Sequence, residues 1–437
     1  MTEFWEARPV LRHVRNYARA EGAGPRAVLA GVLGNVIAST DPDIQLPGGG
    51  SLNLCIAYVG ASGAGKGRAE RAAQGAVRLV HGDDVQRWSV GSGEGLATLF
   101  AVSRDGEQEC RRAVIDVHEV DGLAALAKRQ GATIMATIRQ VWSGEPIGQL
   151  NAAARRYAPA HSYRAVFSVG VQPERAEALL GDRAGTAQRF LWVPVSDPDA
   201  PRHRPPLPAP VTIDVNGIGG TIEIPDIARE ALDEHRWHVL TESGEVDPLD
   251  GHALFSRLKV AAGFMLLDER TAAINAEDWE LAGALMRQSA RTRARIQNTI
   301  SETMRRSNRA KAHAAAERDE VIGDRKLERA KSAVLRWIEK HGQQTEGALS
   351  RRARSDWRSD VPAAIEALID DQAIVKVADD SYALRVHVDP RSTSDNASSE
   401  YVDSGSTWTP PGGLKPDSPG QAERVATALA NAQKDTQ

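Results

Sequence analysis

Short apolar runs alternate with helix-forming stretches in the first half of the chain. The apolar runs predict buried strands. Arg68 to Val80, which lies between the first two runs, is rich in Ala, Arg, Glu and Gln and therefore predicts a helix. Alternating strands and helices are typical of an α/β layered domain. The four predicted strands are residues 52–59, 113–118, 163–171 and 189–195.

The patterns on either side of this region differ. Apolar residues recur at helical spacing near Val28 to Val36 and again from His252 to Leu267. Prolines crowd the stretch from Asp197 to Thr212, which favours an extended conformation. The last part of the chain is polar and has few apolar residues, so we predict disorder there. We therefore divide the chain into a helical N-terminal segment (1–50), an α/β core (51–196), a proline-rich linker or extension (197–225), a helical region (226–322), a compact unit (326–388) and a disordered tail (389–437).

Residues 326–388 have the pattern of a winged helix. Three helices are predicted from apolar spacing, with Thr345 and Asp360 as the caps of the second and third. Two β-branched runs around Ala378-Asp379-Asp380-Ser381 predict the hairpin that forms the wing. Arginines cluster between the second and third helices, where a helix-turn-helix meets the DNA backbone. The predicted DNA-binding residues are Arg351, Arg352, Arg354 and Arg358. The alternative is a winged helix used for protein contacts.

Composition narrows the classes of function. The chain has 437 residues, of which 41% are hydrophobic, enough for two or three domains. Its formal net charge is −4, so binding to nucleic acid would depend on local basic patches. One such patch is helix 287–311, where eight Arg and Lys residues accompany a single acid, Glu302. The alternative for this patch is an ordinary solvated helix face.

Cysteine usage and hydropathy indicate a location. Cys55 and Cys110 are the two cysteines, too few for a disulfide framework or a zinc site. We find no signal-peptide pattern, and no apolar run approaches the ~20 residues that span a bilayer. We therefore expect a cytoplasmic protein without a membrane partner.

The strongest chemical signal is a glycine-rich run directly after the first predicted strand. It fits the phosphate-binding loop G-x-x-x-x-G-K-[ST] at every fixed position but the last. In such a loop, backbone N–H groups and a helix N-terminus face the phosphates, and the lysine adds a full positive charge. We therefore predict nucleotide binding by Gly60, Ala61, Ser62, Gly63, Ala64, Gly65, Lys66, Gly67 and Arg68.

Gly67 stands where the motif has the hydroxyl that ligates Mg²⁺. The metal would then be held by water, phosphate oxygens and acids elsewhere, which Mg²⁺ tolerates because it keeps several waters. The missing hydroxyl leaves the rate of hydrolysis, and hydrolysis itself, open.

Acids follow the second predicted strand, in the run from Ala113 to Asp121. Phosphate-loop ATPases use an acid at the end of a neighbouring strand to hold the metal and orient the attacking water. We predict Glu119 as the catalytic base or water-orienting acid, with Asp116 or Asp121 supporting the metal. The alternative is that these acids cap the helix that starts near Gly122.

Two polar residues at later strand ends are further candidates. Arg189 enters an apolar strand after Gly185-Thr186-Ala187 and is a predicted arginine finger that reaches a neighbouring subunit's nucleotide. Its alternative role is to pair with a nearby carboxylate. Gln172 ends the strand before it and either senses the γ-phosphate or caps a turn.

Six short runs occur together in one order. They are 60–67, 118–126, 139–145, 160–164, 170–173 and 188–192. As a set they resemble the uncharacterised phosphate-loop ATPases of phages and integrative elements, which are found mostly in high-GC actinobacteria and are often described as primase- or helicase-like. Phe255 to Trp279 looks like the helical lid of AAA+ replicative ATPases, in which Arg257 would reach the nucleotide; the alternative is an exposed arginine on an amphipathic helix.

The resemblance implies a RecA-like or AAA+-like phosphate-loop core with a helical lid, and ATP with Mg²⁺ as cofactors. It also implies a ring-shaped homo-oligomer, DNA as a partner, a primase or polymerase as a further candidate partner, and a helicase-like role in replication of a phage or mobile element. The alternative function is a nucleotide-gated initiator, partition or regulatory protein that binds DNA and has little or no ATPase activity.

Overall fold

The computed structural model describes residues 2–80, 85–128, 133–150, 155–182, 184–215, 219–243 and 250–385. The chain divides into two compact units, Met1–Glu317 and Arg318–Gln437. The predicted tail at 389–437 lies outside the described residues.

The first unit is built from strands and helices in alternation. Its strands are β1 (Gln45–Leu46), β2 (Gly50–Ser51), β3 (Leu54–Val59), β4 (Val77–Val80), β5 (Gln86–Ser89), β6 (Arg112–Val117), β7 (Ile147–Leu150), β8 (Arg155–Ala158), β9 (Arg164–Val171), β10 (Phe190–Pro194) and β11 (Val211–Asp214). Its helices are α1 (Thr2–Glu6), α2 (Pro9–Glu21), α3 (Pro25–Ala38), α4 (Lys66–Ala76), α5 (Gly93–Leu99), α6 (Val120–Ala127), α7 (Ile134–Ser143), α8 (Glu177–Leu180), α9 (Thr186–Arg189), α10 (Asp226–Thr241) and α11 (Asp250–Leu267). Helix α12 (Ala276–His341) begins in the first unit and ends in the second.

A five-stranded parallel sheet organises the first unit, in the order β10-β3-β9-β6-β5. Val59 at the end of β3 lies opposite Val171 of β9, so these strands end together. Helices cover both faces, which explains why β3 and β9 are buried along their whole length. The predicted α/β class is confirmed.

The N-terminal helices belong to this layered core. Helix α3 is buried along most of its length and packs against α4 and across β10, β3, β9 and β6. Its Leu29 and Leu33 share one apolar cluster with Ile56 of β3. Residues 1–50 therefore supply part of the layer that covers one face of the sheet.

The four predicted strands are confirmed as β3, β6, β9 and β10, within one or two residues at each end. Strand β5 was missed because Gln86-Arg87-Trp88-Ser89 is polar and lies at the edge of the sheet. The helix predicted to reach Val80 ends at Ala76, so its last part was wrong. Residues 77–80 form β4, which pairs in parallel with β11, inside the stretch predicted as a linker. This pairing joins segments more than 130 residues apart, which no local pattern shows.

The second unit is smaller and has its own apolar core. After α12 it contains β12 (Gln344–Thr345), α13 (Glu346–Arg352), α14 (Val361–Asp370), β13 (Ile374–Ala378) and β14 (Ser381–Leu384). The strands form an antiparallel sheet in the order β12-β14-β13. The Trp337 and Trp357 rings stack with their centroids 5.9 Å apart. Thr345 accepts a hydrogen bond from the Ala348 N–H and caps α13 as predicted. Asp360 occupies the predicted N-cap position of α14 but makes no side-chain hydrogen bond to that helix.

Within the described part of the chain, no helix combines the length and the apolar character needed to cross a bilayer.

Candidate functional site

The glycine-rich run forms a loop between β3 and α4. Gly63 and Gly65 have φ angles of 76° and 96°, in the left-handed region that glycine adopts without a steric cost. Helix α4 begins at Lys66, two residues earlier than predicted. The Gly60 N–H donates to the Val171 carbonyl at 3.0 Å, which joins the loop to β9, the neighbour of β3 in the sheet. Residues 61–64 are exposed, so the loop is open to a ligand.

Lys66 is folded back over its own loop. Its Nζ donates to the carbonyl oxygens of Gly60 and Ala61, each at 3.0 Å. The ammonium therefore lies where it can exchange two neutral carbonyl acceptors for an anion, which is a stronger partner. Arg68 and Gly67 are exposed on the first turn of α4, where the helix dipole also favours an anion.

Glu119 lies at the same edge of the sheet as Lys66. A Cβ on Gly170, near the end of β9, would lie 2.1 Å from the His118 carbonyl oxygen and 3.4 Å from Lys66 Cε. Three segments thus converge there: the end of β9, the residue before Glu119, and the lysine.

Glu119 is an exposed side chain, and it accepts a hydrogen bond from Gln172 Nε2 at 3.3 Å. Glu119 occupies the position before α6 but makes no capping bond to that helix. The capping alternative is therefore not observed for Glu119. Gln172 instead orients its carboxylate at the sheet edge.

The two other acids have different partners. Asp121 forms an ion pair with Arg175. Asp116 lies within β6, with its carboxylate 3.5 Å from Arg87 Nη1 on β5. Burial raises the pKa of Asp116, and the Arg87 charge offsets part of that rise. Among the described residues, no group of three or more His, Cys, Asp or Glu side chains is arranged to hold a metal. Glu119 directly follows His118, whose carbonyl lies beside Gly170, whereas Asp121 and Asp116 pair with arginines of other segments.

Asp116 belongs to a small polar cluster under α4. Glu70, on α4, accepts a hydrogen bond from the Ser168 hydroxyl, and burial raises the pKa of Glu70 as well. Arg87 also donates to Asn35 at 2.8 Å, which links the cluster to α3. Of these contacts, the one between Glu70 and Ser168 joins α4 to β9, and the others link β6, β5 and α3.

Arg189 does not lie near Lys66. It precedes β10, at the amino edge of the sheet, whereas the loop follows the carboxyl end of the parallel neighbour β3. Its side chain is 9% exposed and donates from Nη1 to the Ala184 carbonyl at 2.9 Å. In this conformation the guanidinium is buried in its own subunit, which does not favour the predicted arginine finger.

Two buried basic side chains that sequence reasoning missed, Arg164 and Lys259, hold the sheet in place, and burial lowers the pKa of both. Arg164 is fully buried and donates to Thr40, Ser51 and the carbonyls of Asp41 and Ile44; burial lowers its pKa to about 9. Lys259 is also fully buried and ties α11 to the carbonyls that precede β3 and end α7, with Nζ 3.6 Å from the centre of the Trp142 ring. The sequence signal for such a residue is an Arg or Lys inside an otherwise apolar run. It was not used because charged residues are ordinarily assigned to the surface.

The predicted DNA-binding arginines lie in the second unit. Arg351 and Arg352 end α13, and both are exposed, as is Arg354. Arg358 donates from Nε and Nη2 to the Ala353 carbonyl and thus also supports the turn. The next helix, α14, contains no Lys or Arg and exposes acids, so the basic surface of this region is confined to α13 and the turn after it.

Neither the comparison with known protein families nor that with curated proteins found a match to this sequence.

Proposed function

We propose that this chain binds ATP with Mg²⁺ and hydrolyses it as a helicase-like motor in the replication of DNA, with a phage or mobile element as its setting. One observation carries the proposal. A glycine loop with two left-handed glycines leads into the helix that starts at Lys66, and Glu119 and Gln172 lie at the same sheet edge. This arrangement supplies an anion cradle, one mobile cation and one oriented, exposed carboxylate.

The topology supports the same proposal. Numbered along the chain, the strands of the parallel sheet have the order 5-1-4-3-2, with the glycine loop after the first and Glu119 after the third. This order is typical of AAA+ ATPase cores, which is an argument by analogy of fold. In the second unit, a helix, a strand, two helices and two strands follow in the order of a winged helix. From the resemblance we also propose that the chain assembles into a ring and contacts a primase or polymerase.

Each residue has a role that its environment allows. Lys66 would leave the carbonyls of Gly60 and Ala61 and pair with phosphate oxygens. Bound Mg²⁺ would supply neutralisation of phosphate charge, and in the absence of a hydroxyl at Gly67 it would keep additional waters. Glu119, held by Gln172, would accept a proton from the attacking water.

A second candidate function is a nucleotide-gated DNA-binding protein with little or no turnover. Two observations favour it: Gly67 lacks the metal-binding hydroxyl, and Arg189 is buried at the opposite edge of the sheet. Both would slow hydrolysis and leave ATP binding intact.

We expect the full-length protein to release phosphate from Mg²⁺·ATP and to do so faster when single-stranded DNA is added. A phosphate-release assay with and without DNA, paired with an ATP-binding measurement, separates the two candidates. Binding without turnover under both conditions would favour the nucleotide-gated protein. A chain that binds no ATP would eliminate both.

We expect exposed arginines of the second unit to bind duplex DNA without sequence preference. The triple change of Arg351, Arg352 and Arg354 to Ala removes three predicted phosphate contacts. The slope of the logarithm of the association constant against the logarithm of the salt concentration is negative. The triple change should make this slope less steep by about 2.7, at about 0.9 per contact. The readout is fluorescence anisotropy with labelled duplexes of two unrelated sequences at several salt concentrations.

The matched control for that experiment replaces Arg325, Arg329 and Arg336, three exposed arginines of α12 in the same unit. It removes the same charge from a different surface. Equal losses in both triple variants would mean that net charge alone sets the affinity. An unchanged slope in the first variant would make the unit a module for protein contacts.

A further inference from the structure

The first unit contains a second basic site, away from the glycine loop. It is a pocket of about 320 Å³ between α11, the start of β10 and the α12 residues 283–293. We call it the arginine pocket; its lining includes Arg257, Arg287, Arg293, Leu254, Met286 and Phe190. None of the described residues that line it is acidic. A concave apolar wall with three cations on it favours a ligand that is part anion and part apolar.

Arg257 is fixed in place at this pocket. Its Nε and Nη2 donate to the Trp279 carbonyl at 3.0 and 2.8 Å, and its guanidinium lies 3.6 Å above the centre of the Trp279 ring. A Cβ on Gly283 would lie 2.5 Å from Arg257 Nη2. Gly283 thus provides the space in which the guanidinium lies against the α12 backbone. Arg257 is therefore half-buried and bonded within its own unit, unlike the exposed arginine of the alternative interpretation. A contact with nucleotide stays a prediction.

Two arginines of the pocket repel each other. Burial and the nearby Arg287 charge lower the pKa of Arg257 to about 10, and Glu280 offsets part of that effect. Together with the concave lining, which carries three arginines and no acid among its described residues, this repulsion favours an anionic ligand.

The surface that leads away from the pocket indicates the size of that anion. Helix α12 continues from Arg287 with further basic side chains, and its only acid up to Lys311 is Glu302. Arg291 and Arg295 are exposed, and so is every residue from 301 to 311. The Arg and Lys residues of this basic stretch form two groups, 287–295 and 305–311, with Glu302 in the segment between them. At about 1.5 Å per residue the two groups together span roughly 36 Å, which suits a polyanion better than a free phosphate.

We propose that the arginine pocket binds one unpaired nucleotide of a single-stranded nucleic acid, whose backbone then follows the basic stretch of α12. The phosphate would pair with Arg287 and Arg293 beside the fixed Arg257, and the base or sugar would lie against Leu254 and Met286. Duplex would fit less well, because a base that is paired and stacked cannot turn out of the helix to lie in the pocket. The inference rests on DNA as the partner in the proposed function and needs no nucleotide at the glycine loop.

The test uses the full-length protein without ATP and a labelled 20-nucleotide oligo(dT), with affinity measured at several salt concentrations. The double variant Arg287→Ala/Arg293→Ala should bind about tenfold more weakly at 50 mM salt. The negative slope of the logarithm of the association constant against the logarithm of the salt concentration should become less steep by about 1.4, since single strands give about 0.7 per phosphate contact.

A control and a blocking variant locate the effect. The control Arg229→Ala/Arg236→Ala removes two exposed arginines of α10 and should change neither affinity nor slope. Ala290→Trp adds bulk to an exposed residue at the pocket without removing charge, and it should weaken oligo(dT) more than duplex of equal length. An RNA oligomer of the same length shows which single strand is preferred.

Several outcomes would overturn the inference. They are equal losses in the α10 control, an Ala290→Trp variant with wild-type affinity for oligo(dT), or a duplex affinity that falls as much as the single-strand affinity in each variant. Failure of the wild-type chain to bind any nucleic acid at low salt would overturn both this inference and the DNA role in the proposed function. Binding by wild type with no effect of the pocket variants would overturn the inference alone.

Discussion

Lys66→Ala is expected to raise the Kd for ATP by at least about 100-fold. In the free protein the ammonium donates to the carbonyls of Gly60 and Ala61, in a glycine loop that leads into a helix N-terminus, where an anion is favoured. Hydrogen bonds to charged groups contribute about 1.5–3 kcal/mol each, so loss of two such bonds to phosphate corresponds to about 3 kcal/mol or more. Isothermal titration or a fluorescent ATP analogue measures the change.

Arg78→Ala is the matched control for this experiment. Arg78 is an exposed residue of β4 in the same unit, so the variant loses the same charge away from the loop. It should bind ATP as wild type does. A thermal-shift assay with saturating ATP gives a second readout, since ligand binding raises the melting temperature only where the site survives. If Lys66→Ala binds ATP as tightly as wild type, the phosphate-loop interpretation is wrong.

Glu119→Gln is expected to retain ATP binding and to lower turnover by about 10²–10⁴-fold. The substitution keeps the shape of an exposed side chain that contacts Gln172 but removes the group that accepts a proton. The loss should appear in kcat, with little change in the Kd for ATP. Single-turnover phosphate release and the binding assay together separate the two effects.

Asp116→Asn and Asp121→Asn serve as comparisons, because their carboxylates already have partners, Arg87 and Arg175. Both variants should keep most of the turnover. Gln172→Ala should fall between these and Glu119→Gln, since it releases the carboxylate without removing it. Wild-type turnover in Glu119→Gln with a loss in either aspartate variant would transfer the catalytic role to that aspartate.

The sequence predicted the strands at the centre of the sheet well because each is a continuous apolar run. A parallel strand that is buried on both faces contains few polar residues, as β3 and β9 illustrate. Strand β5, at one edge, could not be predicted in this way because its residues are polar and largely exposed, whereas β10, at the other edge, is apolar and buried and was predicted. Strands β4 and β11 depend on a partner far away in the chain, and local residues do not specify that partner.

The sequence likewise predicted one part of the candidate site and left another part open. The loop at 60–67 was predicted because its residues are contiguous and their spacing carries the chemistry. The choice among Asp116, Glu119 and Asp121 was left open because a shift of one or two residues at a strand end changes the direction of a side chain. In the structure the three acids have different partners: Arg87 and Arg175 pair with the aspartates, and Gln172 donates to Glu119. The choice of Glu119 as the catalytic acid stays a prediction.

The sequence by itself determined the α/β class, the central strands and the position of the glycine loop, because these follow from local periodicity and from contiguous motifs. Only the tertiary structure decided the strand order, the burial of Arg189 at the opposite sheet edge and the convergence of Arg257, Arg287 and Arg293 on one pocket. The physical reason is that burial and charge proximity arise between segments that the chain brings together only when it folds. The type of a residue limits the bonds that its side chain can form, and the residues around it in the folded protein determine which of these bonds are present.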